Sequence, residues 1–269
     1  LPGNENTGMA TLLNGFSSNR GFNAPRDLAG VERIEFLKGP AAALYGSSEP
    51  GGTLNIVSKR PQWKAAHSVE GYLGSYGLRR TALDSTGPLS ENFAYRLNVA
   101  VEQRDSFRDY VNAKREVLAP AFTWKLGRDT VLDYVGEVLR HSTPLDRGVV
   151  AVNNQLGAVP RNRFLGEPAD GNLTVRNQTH QFSLNHAWNP TWRSRFGLSY
   201  RETSLNGYST EPTTLQTDGT LTRQRRYRDY TSNDLAVQAE LLGNVQTGAL
   251  EHELLLGVET SRCRRAPHM

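Results

Sequence analysis

From Phe93 to Arg104 the chain changes character at every step: Phe93, Tyr95, Leu97, Val99 and Val101 alternate with Ala94, Arg96, Asn98, Ala100, Glu102 and Arg104. A helix repeats about every 3.6 residues, so this pattern belongs to extended strand with one greasy and one wet face. Leu118, Phe122, Trp124 and Leu126 repeat it. So do Trp192, Phe196, Leu198 and Tyr200 against Arg193, Arg195, Ser199 and Arg201, and Leu235, Val237, Ala239 and Leu241 against Asp234, Gln238 and Glu240. A chain built this way folds either as a two-layer soluble sandwich or as a barrel with lipid outside and water within.

Mean hydropathy does not separate the two. At 37% hydrophobic and a mean hydropathy of −0.55, the chain reads as polar. It has no apolar run of about 18 residues to cross a bilayer as a helix. A barrel looks the same, because half of each strand faces water.

The connections separate them better. Candidate strands fall at about residues 69–76, 78–86, 93–104, 115–126, 130–140, 177–188, 192–203, 231–242 and 251–260. Short turns (87–92, 125–129, 189–191, 243–249) alternate with longer polar connections (105–114, 141–176, 204–230), apart from the tight Tyr76-Gly77. That is the layout of an outer-membrane barrel. Trp124, Trp188 and Trp192 sit beside short turns, where an interfacial girdle places such rings, and Trp63 lies just before the first strand.

Before the strands comes Val31 to Gln62, VERIEFLKGPAAALYGSSEPGGTLNIVSKRPQ. Ile34 and Phe36 among charged neighbours suggest a strand with one buried face; Gly39-Pro40 ends it, and Ala41 to Ala43 allow a short helical turn. Ser47 to Gly52 forms a second turn, and Leu54 to Val57 a returning strand.

Val31-Glu32-Arg33-Ile34-Glu35, Lys38-Gly39-Pro40, Leu44-Tyr45-Gly46, Pro50-Gly51-Gly52 and Leu54 to Lys59 together resemble the plug of TonB-dependent outer-membrane receptors, in the siderophore-receptor branch. Thr143 to Gly148, followed by Val159 to Pro168, is similar to the third extracellular loop of receptors for hydroxamate and pyoverdine-type ligands.

The resemblance implies a mainly β protein. Residues 1–62 would be the C-terminal part of an α+β plug, and 63–269 about nine strands of a truncated antiparallel transmembrane barrel in the bacterial outer membrane. It implies binding of a ferric siderophore outside the cell and import to the periplasm with TonB-transmitted energy. The partners would be the siderophore, TonB and its inner-membrane motor complex, and outer-membrane lipid and lipopolysaccharide, with no covalent cofactor.

Phe16, Arg20, Phe22 and Asn23 lie in a candidate upper plug loop: the rings would pack on an organic ligand and Arg20 would meet its negative oxygens. Glu32, Arg33, Glu35 and Lys38 look like plug residues that pair with charges inside the barrel, with Lys38 standing where such receptors often carry arginine. Arg223, Arg225, Arg226 and Arg228, with Arg161 and Arg163, contribute to a net charge of +4 and would attract an anionic siderophore or lipopolysaccharide phosphate.

Other classes lack anchors. Cys263 is the only cysteine, so no disulfide or thiolate cluster is expected. His180 and His186 are roughly 20 Å apart along one strand, too far to share a metal. No nucleophile elbow or phosphate-binding glycine loop is present, and the basic residues accompany no nucleic-acid-reading element. The sequence opens at Leu1 without a signal or energy-coupling segment, and Cys263 to Met269 does not read as strand, so a partial receptor with two open sheet edges is expected. Rival readings are a receptor of the same architecture for cobalamin, haem or an oligosaccharide, and a surface adhesin or signalling barrel.

Overall fold

The computed structural model describes residues 10–18, 25–37, 52–152 and 155–267. Among the described residues thirteen strands form two sheets. The first four, β1 (Ala10–Leu13), β2 (Phe16–Ser17), β3 (Val31–Leu37) and β4 (Thr53–Ser58), make a small inner sheet in the order β2-β1-β4-β3. The other nine form an antiparallel meander: β5 (Ala66–Leu73), β6 (Arg79–Pro88), β7 (Phe93–Asp105), β8 (Asn112–Lys125), β9 (Thr130–Thr143), β10 (Leu173–Ala187), β11 (Trp192–Leu215), β12 (Leu221–Thr247) and β13 (Leu250–Pro267). Each pairs with its sequence neighbours, and β5 and β13 are its outer members. Among the described residues there is no α-helix; the helical turn expected at Ala41 to Ala43 lies outside them.

Alternation decides which side of the wall meets what. On β7, Ala94, Arg96, Asn98 and Ala100 are buried on one side, and the apolar residues between them point to the other. Register carries this across the wall: Tyr95, Phe122, Tyr134, Phe182, Leu198 and Val237 are successive cross-strand partners on the outer face. Phe93 stacks on Phe122, Phe122 on Tyr134, and Tyr134 packs on Phe182, with centroids 5.7, 5.9 and 5.0 Å apart. An exposed aromatic row of this kind is stable only where its surroundings are apolar.

The short-turn rim carries the tryptophans. Trp124 sits edge-on to Phe93, Trp188 donates to Ser194 Oγ at 3.0 Å, and the Lys125 ammonium lies 3.8 Å from the Trp63 ring centre. Trp192 lies across its partner Gly243, where a Cβ would come within 2.4 Å of the indole.

Three sequence expectations are corrected. Residues 204–230 are mostly a long hairpin, since β11 runs to Leu215 and β12 begins at Leu221. The tail expected to be irregular continues β13 to Pro267, pairing with Tyr230. On β3, Ile34 and Phe36 are 47% and 63% exposed, because this strand is the edge of the inner sheet and buries no apolar face among the described residues.

Two type I′ turns shape the rest. Asn14 and Gly15 have φ of 53° and 87° in a two-residue hairpin between β1 and β2, and Tyr76 and Gly77 have φ of 57° and 65° between β5 and β6.

Candidate functional site at the inner sheet

The inner sheet meets the wall through charges and amides. Asp27, 3% exposed, accepts two hydrogen bonds from Arg80 of β6 at 2.6 and 2.8 Å and one from its own turn, Ala29 N–H, at 2.8 Å. Arg115 of β8 stands 3.3 Å away and also bonds Glu102 at 2.8 Å. Burial pushes the Asp27 carboxyl up, but the Arg80 and Ala29 hydrogen bonds and the fields of Arg80 and Arg115 leave it below its ordinary value of 3.8. Next to it one guanidinium nitrogen of Arg26 donates to both carboxylate oxygens of Glu137 of β9, at 3.0 and 3.2 Å.

A second group lies at the end of β4. Lys59 bonds Asp84 at 2.9 Å, and Arg96 holds the same carboxylate through two nitrogens at 2.9 and 2.8 Å while donating to the Arg60 carbonyl. A third is the Asn14-Gly15 tip. Asn14 donates to Gln181 Oε1 at 2.7 Å; Gln181 returns a bond to the Leu13 carbonyl at 3.0 Å, and Gln238 reaches the Gly15 carbonyl at 3.2 Å. Arg201 donates to the Ser18 carbonyl.

At two points the plug and wall approach closely over a small residue. Phe16 lies against Gly197 of β11, where a Cβ would be 2.8 Å from its ring, and Gly30 comes within the reach of Ala119. The apolar cluster of Ala100, Val117, Leu139, Leu145, Leu173, Val175 and Leu205 caps this seam toward the long loops, with Ala29 against it.

The residues singled out from sequence separate into two groups. Phe16 is 2% exposed and faces the wall, so it anchors the tip and presents no surface to a ligand. Glu32 comes 3.8 Å from Arg96 on the wall. Arg33 and Glu35 bond each other at 2.7 Å within β3, and Glu35 also accepts from Asn55 at 2.8 Å, so their charges are met inside the inner sheet. The Asn55 and Arg33 bonds hold the Glu35 carboxyl below its usual value. Arg20, Phe22, Asn23 and Lys38 lie outside the described residues. Arg26, Asp27, Arg80 and Glu137 were missed by sequence reasoning. The available signal was charge at inward positions of strands whose outward positions are apolar.

The long-loop rim is fastened by arginines. Arg108 pairs with Asp146 and donates to the carbonyls of Arg161 and Arg163. Arg147 and Arg228 share Glu211; Arg225 bonds Asp170 at 2.6 Å, and Arg223 donates to the Gly166 carbonyl at 2.6 Å. Two arginines of the basic hairpin, Arg223 and Arg225, thus hold the 166–170 segment in place, and Arg228 is spent within the hairpin on Glu211. A cleft of about 410 Å³ beside Arg80, Asp84 and Lys59, and another of about 360 Å³ at the rim between Tyr76, Phe107, Arg104, Arg115 and His141, open next to the seam. Their mixed charge and aromatic lining suits a polar organic ligand bearing negative oxygens.

Comparison with known proteins fits this geometry. Residues 2–53 match the TonB-dependent receptor plug domain. The metal-pseudopaline receptor CntO of Pseudomonas aeruginosa (strain UCBPP-PA14) is 45% identical over 250 residues, 91% of this chain and 35% of that protein. The catecholate siderophore receptor Fiu of Escherichia coli O6:H1 is 29% identical over 295 residues, 97% of this chain and 39% of its own length. The crystal structure of the ferric-catecholate import receptor Fiu from E. coli K12 in its open form superposes with a TM-score of 0.86 at 24% identity, over 97% of this chain and 43% of that one. The chain spans little more than a third of these curated relatives, 35% and 39%.

Proposed function

We propose that this chain, which belongs to the TonB-dependent outer-membrane receptors, binds a ferric siderophore on the extracellular side and passes it to the periplasm with energy transmitted by TonB. On this reading residues 1–62 are plug and 63–269 wall. Arg20, Phe22 and Asn23 would meet the cargo, with the rim cleft around Arg104, Arg115 and His141 beside them.

The observation that carries the reading is the polar seam. Each neutral hydrogen bond contributes about 0.5–1.5 kcal/mol net and each one to a charged group about 1.5–3 kcal/mol, and water can replace either partner, so a plug held by such separate contacts comes away in steps. A rigid domain packed by large apolar faces would not. The wall meanwhile keeps its backbone ladder.

A second reading is favoured by the 45% identity to a metal-pseudopaline receptor: the cargo is a metal–pseudopaline complex. Both are tested in a strain lacking the receptor gene, grown on a panel of ferric siderophores and metal–pseudopaline under metal restriction. Loss of growth on one ferric siderophore, restored by the gene, supports the first reading, and loss confined to metal–pseudopaline supports the second. Normal growth on all of them, with failure on another nutrient, overturns both.

A further inference from the structure

Three histidines of the wall are satisfied by hydroxyls. His67 meets Ser85 at 2.9 Å, and His180 and His186 meet Tyr134 and Thr130 at 2.8 Å each. His141 of β9 differs. It points inward as the cross-strand partner of Arg115 and Val175, lines the rim cleft of about 360 Å³, and is 7% exposed. Among the described residues neither of its ring nitrogens bonds the chain; Nδ1 is sealed off, which leaves Nε2 as the nitrogen on the cleft side. A buried polar group without a partner costs stability, and a ligand reaching it from the cleft would offset that cost.

The neighbours define the ligand. Arg104 of β7 and Arg115 of β8 stand in the same cleft, and Arg104 is exposed with no ion pair among the described residues. Of the cleft's carboxylates, Glu102 is held by Arg80 and Arg115, and Asp105 lies against the Tyr76-Gly77 turn. Two guanidiniums repel a bare cation and attract a complex whose carboxylates outweigh the charge of its metal. Imidazole suits divalent nickel, copper and zinc. We propose that His141 Nε2 completes the coordination of a divalent metal carried in an anionic carboxylate chelate, with Arg104 and Arg115 meeting the carboxylates. One metal–nitrogen bond forms as a metal-bound water leaves, and no electron is transferred. A ferric ion fully wrapped by siderophore oxygens has no position to offer, so His141 favours chelates that leave one open. This inference rests on the reading of the chain as a metal-chelate receptor and deepens the second of its two cargoes.

The full receptor carrying this chain is purified in detergent and titrated with Cu(II)–nitrilotriacetate, which leaves a coordination position open, with Cu(II)–EDTA, which does not, and with Cu(II) alone. Imidazole coordination is read from the nitrogen couplings in the electron paramagnetic resonance spectrum, with the chelate kept below one equivalent. An imidazole signal is expected on the nitrilotriacetate complex and not on the EDTA complex. His141→Asn should abolish it and weaken binding by about tenfold or more. Arg104→Gln, at an exposed position, should weaken binding while the complex that does bind keeps the signal. An undiminished signal in His141→Asn, equal affinity for the EDTA complex, or tighter capture of Cu(II) alone would each overturn the proposal. Where His141→Asn fails to assemble, equal affinity of Arg104→Gln and wild type for the anionic chelate overturns it instead. Binding here needs neither TonB nor energy: a receptor that supports growth on metal chelates yet shows no His141 signal refutes this inference and leaves the transport reading standing.

Discussion

Replacing Asp27 with alanine attacks the seam at its most buried charge. The change removes two Arg80 bonds, the Ala29 bond and the 3.3 Å contact with Arg115. Breaking a buried ion pair by deleting one partner costs about 3–5 kcal/mol, because the other charge is left uncompensated. Here the lower end applies. Glu102 remains 3.5 Å from Arg80 and 2.8 Å from Arg115, and both arginines keep some access to water. A loss of about 3 kcal/mol is on the order of a hundredfold in the equilibrium between seated and released plug. Amide hydrogen exchange reads it directly: residues 25–30 should exchange on the order of a hundredfold faster, while β7 to β9 are unchanged. Charge bookkeeping supplies a control. In Asp27→Ala/Arg80→Ala the stranded guanidinium is gone, so part of the protection returns. Exchange within about twofold of wild type in the single variant would refute the idea that Asp27 locks the plug, and faster exchange in the wall would mean that the substitution unfolds the sheet instead.

Other consequences follow from the same geometry. Gly197→Leu drives a side chain into the space of the Phe16 ring; overpacking of about 1–3 kcal/mol should loosen the β1–β2 tip, seen as faster proteolysis of the plug with the wall intact. At the rim, Glu211 and Arg225 should behave differently. The Glu211 side chain is 8% exposed between two arginines, so Glu211→Gln should make the segment around Arg147 clearly protease-sensitive; Arg225 is 59% exposed and its partner Asp170 keeps the Thr210 bond at 2.6 Å, so Arg225→Ala should change cleavage less. Acid should act on the plug late. Asp27 is held below its ordinary 3.8, so its contribution is complete above that value and is lost as pH falls through the lower folded one. Protection of residues 25–30 should therefore be flat through mildly acidic pH in exchange measurements, and a fall near pH 5 would contradict the assignment.

Much of the wall was legible because lipid and lumen impose opposite demands on neighbouring residues. Phe93 to Arg104 shows this plainly. Legibility fades where the outer face leaves the apolar layer. Beyond Thr203 on β11 and before Thr231 on β12, residues such as Glu211, Arg223 and Gln224 are polar on both faces, so sequence suggested loop although the backbone ladder continues. The β13 tail misled for the same reason. The seam was hidden differently: Asp27 and Arg80 are 53 residues apart, and Arg26 and Glu137 are 111. Nothing local joins them. Only the parity of charged positions, inward at Arg80, Asp84, Arg96, Asp133 and Glu137, marked a wet interior that some charged body must fill.

That parity also bears on how a load would travel under the proposed reading. Force entering from before Ala10 reaches β1 first, and β1 is tied by a parallel ladder from Ala10 to Leu13 against Thr53 to Ile56. At the Asn14-Gly15 turn its wall contacts are amide bonds, Asn14 with Gln181 and Gly15 with Gln238, and the chain beyond it adds Phe16 against Gly197 and the Ser18 carbonyl on Arg201. The ion pairs lie further along the chain, at Arg26, Asp27 and Lys59. Hydrogen bonds to charged groups contribute about 1.5–3 kcal/mol each, against about 0.5–1.5 for neutral ones. The weaker tethers are thus loaded first, so β1 and its tip can peel from the wall while Asp27 and Arg26 still hold the rest of the plug in the lumen. Partial release needs far less work than expulsion of the whole inner sheet.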